Sequence, residues 1–424
     1  MAVITFGAVG DIGFYGGIAD AMRADGMDWP FERMLPHLDR ADVLFGNMES
    51  VVVPPDCPAD AIDPKGLVSP FTGEACARTL ARAGFDVMNL AANHVLDAGV
   101  TGMDHTRHAL EAEGLVTAGV GHTQGEARRL ATLEKHGITF GFLGYCEDTN
   151  YSLGTRGPCH AYYELESVLE DVAKHRDAAD VLVVSIHADI EFMPTPSVSR
   201  LRNFREIARA GADIVLGHHP HVPQGCEMVD GRLIAYSLGN FIFPAHTSPY
   251  MKGNAPHTAH SFLLLVHVSG DGVQSFERVP FEIGEPPEER PAPLEGDARD
   301  EMLGHLARLD AHLKDEAFVR RTWREVAKRH LMIYIKRAAE RDVENIIEEL
   351  VGRLCLTAEN RNWMEECLAM GREAWERRNA ETPDPLHRPH YRFTAGPPQS
   401  GTGSPEDASE EPDTPGPEKG AAGA

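Results

Sequence analysis

Aspartate, asparagine, glutamate and histidine recur in this sequence at one kind of place, just after a short apolar run. Gly10-Asp11 follows the first run, Asn47-Met48-Glu49 the second, and Asn93-His94 with Asp97 the third. His187-Ala188-Asp189-Ile190-Glu191 and Gly217-His218-His219-Pro220-His221 follow two later ones. Carboxylate, amide and imidazole donors without thiolates suit a borderline divalent ion such as manganese, iron or zinc. Donors from several strand ends could hold one or two such ions per chain, a pair lying roughly 3.5–4 Å apart as in two-metal hydrolysis. The His218–His221 run carries the strongest signal, because imidazoles crowded behind a buried strand are costly without a partner.

These donors converge only if the apolar runs are neighbouring strands. The runs Val3–Val9, Val43–Phe45, Val87–Ala92, Ile138–Leu143, Val181–Ile186 and Ile214–Leu216 are rich in Val, Ile, Leu and Phe and too short for helices. Amphipathic stretches separate several of them: Pro30–Leu38, Gly73–Ala83, Gly102–Glu113, Leu165–His175 and Ser197–Ala210. This alternation predicts an α/β layered fold with buried strands, in which ligands bind at the carboxyl ends. The runs between Leu233 and Ile283 lack intervening helices and predict antiparallel strands at one edge. Four regions are expected: a catalytic domain over 1–285, a linker over 286–296, a helical subdomain over 297–381, and a disordered acidic tail rich in Pro and Gly over 382–424.

At these motifs the sequence resembles the calcineurin-like metallophosphoesterases, and within them the CapA family of poly-γ-glutamate capsule synthesis. The resemblance rests on Gly10-Asp11, Asn47-Met48-Glu49, Asn93-His94 with Asp97-x-Gly99, and His187-x-x-x-Glu191-Phe192. It also rests on Gly217-His218-His219-Pro220-His221-Val222-x-Gln224 and Ser237-Leu238-Gly239-Asn240-Phe241-x-Phe243. It implies a four-layer α/β/β/α sandwich followed by a helical subdomain. It implies metal ligation by Asp11, Asn93, His187, His218 and His221, with Asn47 at a bridging position and Glu49 as a nearby carboxylate. His94 is implied as the acid that protonates a leaving group, oriented by Asp97, with Glu191, His219 and Asn240 lining the substrate side. The sequence departs from the broader pattern where Gly13 stands in place of a first-strand histidine, where Asn47 replaces an aspartate, and where Asp189 offers an extra carboxylate.

The resemblance implies an anionic substrate, small or polymeric, either a phosphate ester or a γ-glutamyl or acyl compound. Lys65, Arg156 and Lys252 are loop cations that would meet it, and the loop Pro244–His260 is a candidate lid. The alternative role is a non-catalytic, polyanion-binding component of a biosynthetic complex. A net charge of −25 disfavours nucleic acid. No apolar run is long enough to span a bilayer, so no membrane span is expected. Seven scattered cysteines without a C-x-x-C pair point to reduced thiols and a cytoplasmic chain. The helical subdomain is a candidate homodimer surface.

Overall fold

The computed structural model describes residues 3–58, 62, 66–147, 159–254, 256–339 and 358–381. Lys65, Arg156 and the tail 382–424 lie outside the described residues. Residues 1–374 form one compact unit, and of residues 375–424 only the end of the helix Ala358–Glu381 is described.

The chain begins with parallel strands β1 (Ile4–Ile12), β2 (Val43–Met48), β3 (Val87–Asn89) and β4 (Val116–Ala118). Strands β5 (Val120–Gly121) and β8 (Cys159–His160) pair as a small ribbon, and a second sheet is built from the chain between and after them. It contains β6 (Ala131–Lys135), β7 (Ile138–Cys146), β9 (Val181–His187), β10 (Ile214–His218), β11 (Cys226–Val229) and β12 (Arg232–Ala235), in the order β11-β12-β10-β9-β7-β6. The chain then returns to the first sheet through β13 (Asn240–Ile242), β14 (His260–Ser269), β15 (Gly272–Ile283) and β16 (Pro291–Pro293). The order there is β16-β15-β14-β1-β2-β3-β4, with β13 beside β1. The last three strands form an antiparallel edge, but of the runs between Leu233 and Ile283 expected there only β14 and β15 join it: β12 pairs parallel with β10 in the second sheet, and β13 pairs parallel with β1. The last strand, β16, lies within the stretch expected as linker.

The two sheets pack face to face. Phe6 and Phe45 of the first sheet meet Phe140 and Phe142 of the second, with Phe6 and Phe140 stacked at 5.9 Å and Phe45 and Phe142 at 6.1 Å. Helices Gly16–Asp25, Gly73–Arg82 and Gly99–Ala112 cover the outer face of the first sheet through Ile18, Leu80 and Met103. Helices Leu165–His175 and Val198–Ala210 cover the second through Val172, Leu201 and Phe204. The result is the four-layer α/β/β/α arrangement. Strands β2, β9 and β10 are buried at every position, so their sequences are continuous apolar runs without alternation. The stretch Pro30–Leu38 is helical only over Leu35–Leu38, because Pro36 fits only a first turn.

The C-terminal helices pack on this sandwich. Met302, Leu306 and Leu309 of the helix Gly296–His312 enter the core between the sheets. Val319, Trp323 and Ala327 of the helix Glu316–Ala339 join the outer core of the second sheet. The Trp323 indole donates to Thr195 O at 3.2 Å. Among the described residues no helix is long and apolar enough to cross a membrane.

Candidate metal centre

Parallel pairing aligns the strand ends. Asp11 lies opposite Asn47 on β2 and opposite Asn240 on β13, and Asn47 lies opposite Asn89 on β3. In the second sheet His218 lies opposite His187, and His187 opposite Cys146. The two sheets therefore bring their carboxyl edges to one place.

Glycine makes this approach feasible. A Cβ on Gly10 would lie 1.9 Å from Gly239 O, and one on Gly217 would lie 1.8 Å from Tyr236 O. The residues before Asp11 and before His218 are thus pressed against one crossing segment, 236–239, which links the two sheets. Asp11 N donates to Gly239 O at 3.0 Å, and Leu238 N donates to Gly217 O at 3.1 Å. Neither glycine has positive φ, so it is space rather than backbone freedom that excludes a side chain.

Two loops then turn their side chains inward at a conformational cost. Asp189, Phe192, His219 and His221 have φ of 87°, 61°, 94° and 56°. Such left-handed, non-glycine positions cost on the order of 1–3 kcal/mol each and persist only where surrounding contacts impose them. Here Ala188 N donates to His218 O at 3.0 Å and Phe192 N to Pro220 O at 2.8 Å, tying the loops together.

Asp11 sits at the centre and is fully buried. Its Oδ1 accepts from Asn47 Nδ2 at 2.8 Å and lies 3.3 Å from His218 Nδ1; its Oδ2 lies 3.5 Å from His221 Nδ1. Burial is the largest single influence and opposes its ionisation, but the His218 contact, the His218 and His221 rings and the Asn47 amide together outweigh it and hold the carboxyl below the usual range. Glu49 shows the opposite: burial, followed by the charges of Asp11 and Glu191, pushes its carboxyl well above its ordinary value. His221 Nε2 stands 3.5 Å from Glu49 Oε1 and His187 Nε2 4.0 Å from it. Burial and the neighbouring imidazoles keep His187 far below its usual value, and burial puts His219 at about 4.

Ligand atoms of Glu49, His219 and His221 lie within 4.8 Å of one another, as do those of Asp11, Glu49 and His187. Among the described residues, neither oxygen of Glu49 and neither ring nitrogen of His218 or His219 has a hydrogen-bond partner. Leaving buried acceptors and imidazoles unsatisfied is expensive. Carboxylates facing neutral imidazoles are the donor set a divalent cation completes, so the residues fit the ion.

Around this set the remaining residues anticipated from sequence take distinct places. Asn47 turns its nitrogen to Asp11 and its oxygen to Asn89 Nδ2 at 2.7 Å, so as placed it offers the cluster no oxygen. Asn93 Oδ1 lies 2.9 Å from His187 Nε2. His94 Nδ1 lies 2.5 Å from Asp97 Oδ2, which also accepts from Leu67 N at 2.6 Å. The His94 side chain is 18 % exposed, the more open of that pair. Asn240 Oδ1 faces His221 Nδ1 at 2.8 Å, while its amide donates to Thr258 O. Glu191 Oε1 lies 3.7 Å from His221 Nε2 and its other oxygen accepts from Tyr250 of the 244–260 loop, whose ring meets Phe192 at 5.0 Å. Lys252 is exposed on a short helix in that loop. Asp189 Oδ2 accepts from Ser197 N at 2.7 Å, at the start of the helix Val198–Ala210, so that oxygen is spent there.

Sequence reasoning passed over three residues. Glu147, at the end of β7, accepts from Asp189 N at 3.1 Å and pairs with buried Arg200 at 2.9 Å, bracing the loop behind His187. Its position one residue past a buried strand was the available signal. Tyr15 lies beside Phe243 with ring centroids 5.3 Å apart. Burial, then the charges of Glu49, Glu191 and Asp11, push its hydroxyl well above the ordinary value, so it keeps its proton and can donate. Asn89, on β3, orients Asn47.

A family model described as bacterial capsule synthesis protein PGA_cap matches residues 5–245. The PGA biosynthesis protein CapA of Bacillus subtilis is 28 % identical over 299 residues, covering 70 % of this chain and 75 % of that one. The capsule biosynthesis protein CapA of Bacillus anthracis is 28 % identical over 288 residues, covering 66 % and 68 %. Among solved structures, a 5'-nucleotidase precursor from Thermus thermophilus superposes with a TM-score of 0.41 at 13 % identity, covering 73 % of this chain and 59 % of that one.

Proposed function

The chain belongs to the bacterial capsule synthesis protein family, and from that premise we propose that its buried donor cluster is the metal centre of a hydrolase acting on an anionic substrate. The substrate is a phosphate ester or a γ-glutamyl or related acyl compound, in keeping with relatives named for PGA and capsule biosynthesis. The observation that carries this reading is Glu49: a buried carboxylate with no hydrogen-bond partner on either oxygen, facing His187 and His221 beside Asp11.

Asp11, Glu49, His187, His219 and His221 would hold the ion, with His218 standing 3.3 Å from Asp11 and Asn93 2.9 Å from His187 beside them. When bound, a divalent cation supplies Lewis acidity toward the electrophile and makes water a nucleophile near neutral pH. The protein's own groups do the rest. Asn240 fixes the His221 ring through its second nitrogen, as outer partners of metal-binding imidazoles do, whereas Asn93 Oδ1 faces the same His187 nitrogen that faces Glu49. His94, held by Asp97 and partly open to solvent, hands its proton to the leaving atom. The Tyr15 hydroxyl donates to a developing anionic oxygen, and Tyr250 with Phe192 screens one side from water.

The test is elemental analysis of the purified chain after loading with manganese, zinc or iron, paired with a screen of phosphate esters and γ-glutamyl amides. One or two ions per chain are expected, with Glu49→Ala and His187→Ala losing at least roughly tenfold in metal affinity. His94→Ala should keep the metal and lose roughly 100-fold or more in turnover. A wild-type chain that retains no ion under any of the three metals sinks the hydrolase and leaves the polyanion-binding role.

A further inference from the structure

Beside the donor cluster lies a second hollow of about 280 Å³. Its floor is apolar, made by Phe192, Val222, Leu309 and Phe318. Its rim carries His257, His305, Arg308 and His312. No carboxylate lines it among the described residues, in a chain whose net charge is −25. Arg308 is solvent-exposed and makes no hydrogen bond or ion pair with any described residue. Glu282 and Glu301 line a neighbouring hollow that shares His257, His305 and Arg308, and neither is paired to the guanidinium.

The rim side chains converge. His257 and His305 stack with centroids 5.8 Å apart, and His312 stacks on Phe318 at 4.1 Å. Burial, then His257 and Arg308, hold His305 below its ordinary value. Its ring is therefore neutral at physiological pH and can still donate a hydrogen bond. Arg308 supplies the permanent positive charge. The hollow adjoins the cluster directly: Phe192 follows Glu191 and lies 6.3 Å from the His221 ring, and Val222 follows His221. Its size is just below the roughly 300–1,000 Å³ of pockets that enclose whole ligands, so it suits one end of a molecule.

We propose that this hollow is an anion subsite that seats the end of the substrate remote from the reacting bond, an anionic head on a short apolar stem, with Arg308 as the specificity-determining residue. The role as a substrate arm rests on the hydrolase reading of the adjoining cluster. Every rim residue lies beyond the region 5–245 that the family model matches. The subsite thus belongs to the part of this chain that sets it apart, and the C-terminal helices contribute chemistry as well as packing. A carboxylate and a phosphate share the recognised charge, and the experiment separates them.

Isothermal titration of the metal-stripped chain with 3-phenylpropionate, phenyl phosphate and the neutral 3-phenylpropanol tests this. At least one anion should bind saturably, and whichever binds more tightly identifies the head group. The alcohol should bind about tenfold more weakly or worse. Arg308→Gln should weaken the anion by about tenfold, leave the alcohol unchanged, and preserve metal content. His187→Ala should leave anion binding intact. Equal anion affinity in wild type and Arg308→Gln overturns the proposal, as does loss of binding in His187→Ala, which would place the ligand on the donor cluster. Arg308-dependent binding by a wild-type chain that never holds metal overturns the substrate-arm role through the hydrolase reading alone, which keeps the two failures distinct.

Discussion

Substituting Gly10 by alanine tests how Asp11 is positioned. The new methyl would sit 1.9 Å from Gly239 O, whereas side-chain Cβ atoms are essentially never found within 3.0 Å of another heavy atom. The clashing atom is backbone, so no rotamer can yield, and β1 must separate from the crossing segment by about 1 Å. The Asp11 N to Gly239 O hydrogen bond, now 3.0 Å, would then be lost. That bond contributes about 1 kcal/mol, and overpacking costs about 1–3 kcal/mol. Together they predict a loss of about 2–4 kcal/mol, a large part of the 5–15 kcal/mol typical of a domain. Because a site tolerates only about 0.5 Å of misplacement, metal content should fall roughly tenfold or more. Urea unfolding followed by far-ultraviolet circular dichroism gives the first quantity, and elemental analysis after manganese loading gives the second. Gly371→Ala is the control. That glycine lies in the helix Ala358–Glu381 with nothing near its missing Cβ, so alanine should stabilise by up to about 1 kcal/mol. A Gly10→Ala chain as stable as wild type, with undiminished metal, would refute the steric account.

Two further perturbations probe the frame around the site. Arg200→Met strips the buried partner from Glu147, 2.9 Å away, and should cost about 3–5 kcal/mol in urea unfolding. A cost below about 1 kcal/mol would mean that the pair does not brace the Asp189 loop. His160 is buried, which lowers it to about 4 from its ordinary 6.5. Between these values the unfolded chain binds the proton and the folded chain does not, so stability falls as pH falls through that window. Going from pH 7.5 to pH 5 should cost about 2 kcal/mol through this residue. His160→Phe should flatten the acid limb by that amount, and an unchanged limb would sink the assignment.

Much of this architecture was legible from local pattern. Strands buried on both faces, such as β9 and β10, must be continuous apolar runs, and the amphipathic stretches between them must be helices laid on the outside. Polar residues immediately after such strands share an edge by construction, which is why Asp11, Asn47, His187 and the His218–His221 run could be placed in one region. The sequence could not show which atoms face one another. Steric crowding at the 236–239 crossing and positive φ at His219 and His221 turn His219 toward Glu49 and leave His218 on Asp11, although the two are adjacent in the chain. An amide can turn either its oxygen or its nitrogen to a neighbour, and it is Asn89, on the next strand, that turns the nitrogen of Asn47 toward Asp11. The hollow at Arg308 joins residues 192, 257 and 308, brought together only when the C-terminal helix enters the core between the sheets. Periodicity records which face of an element is buried; the partner of that face is set by long-range packing, which no local window contains.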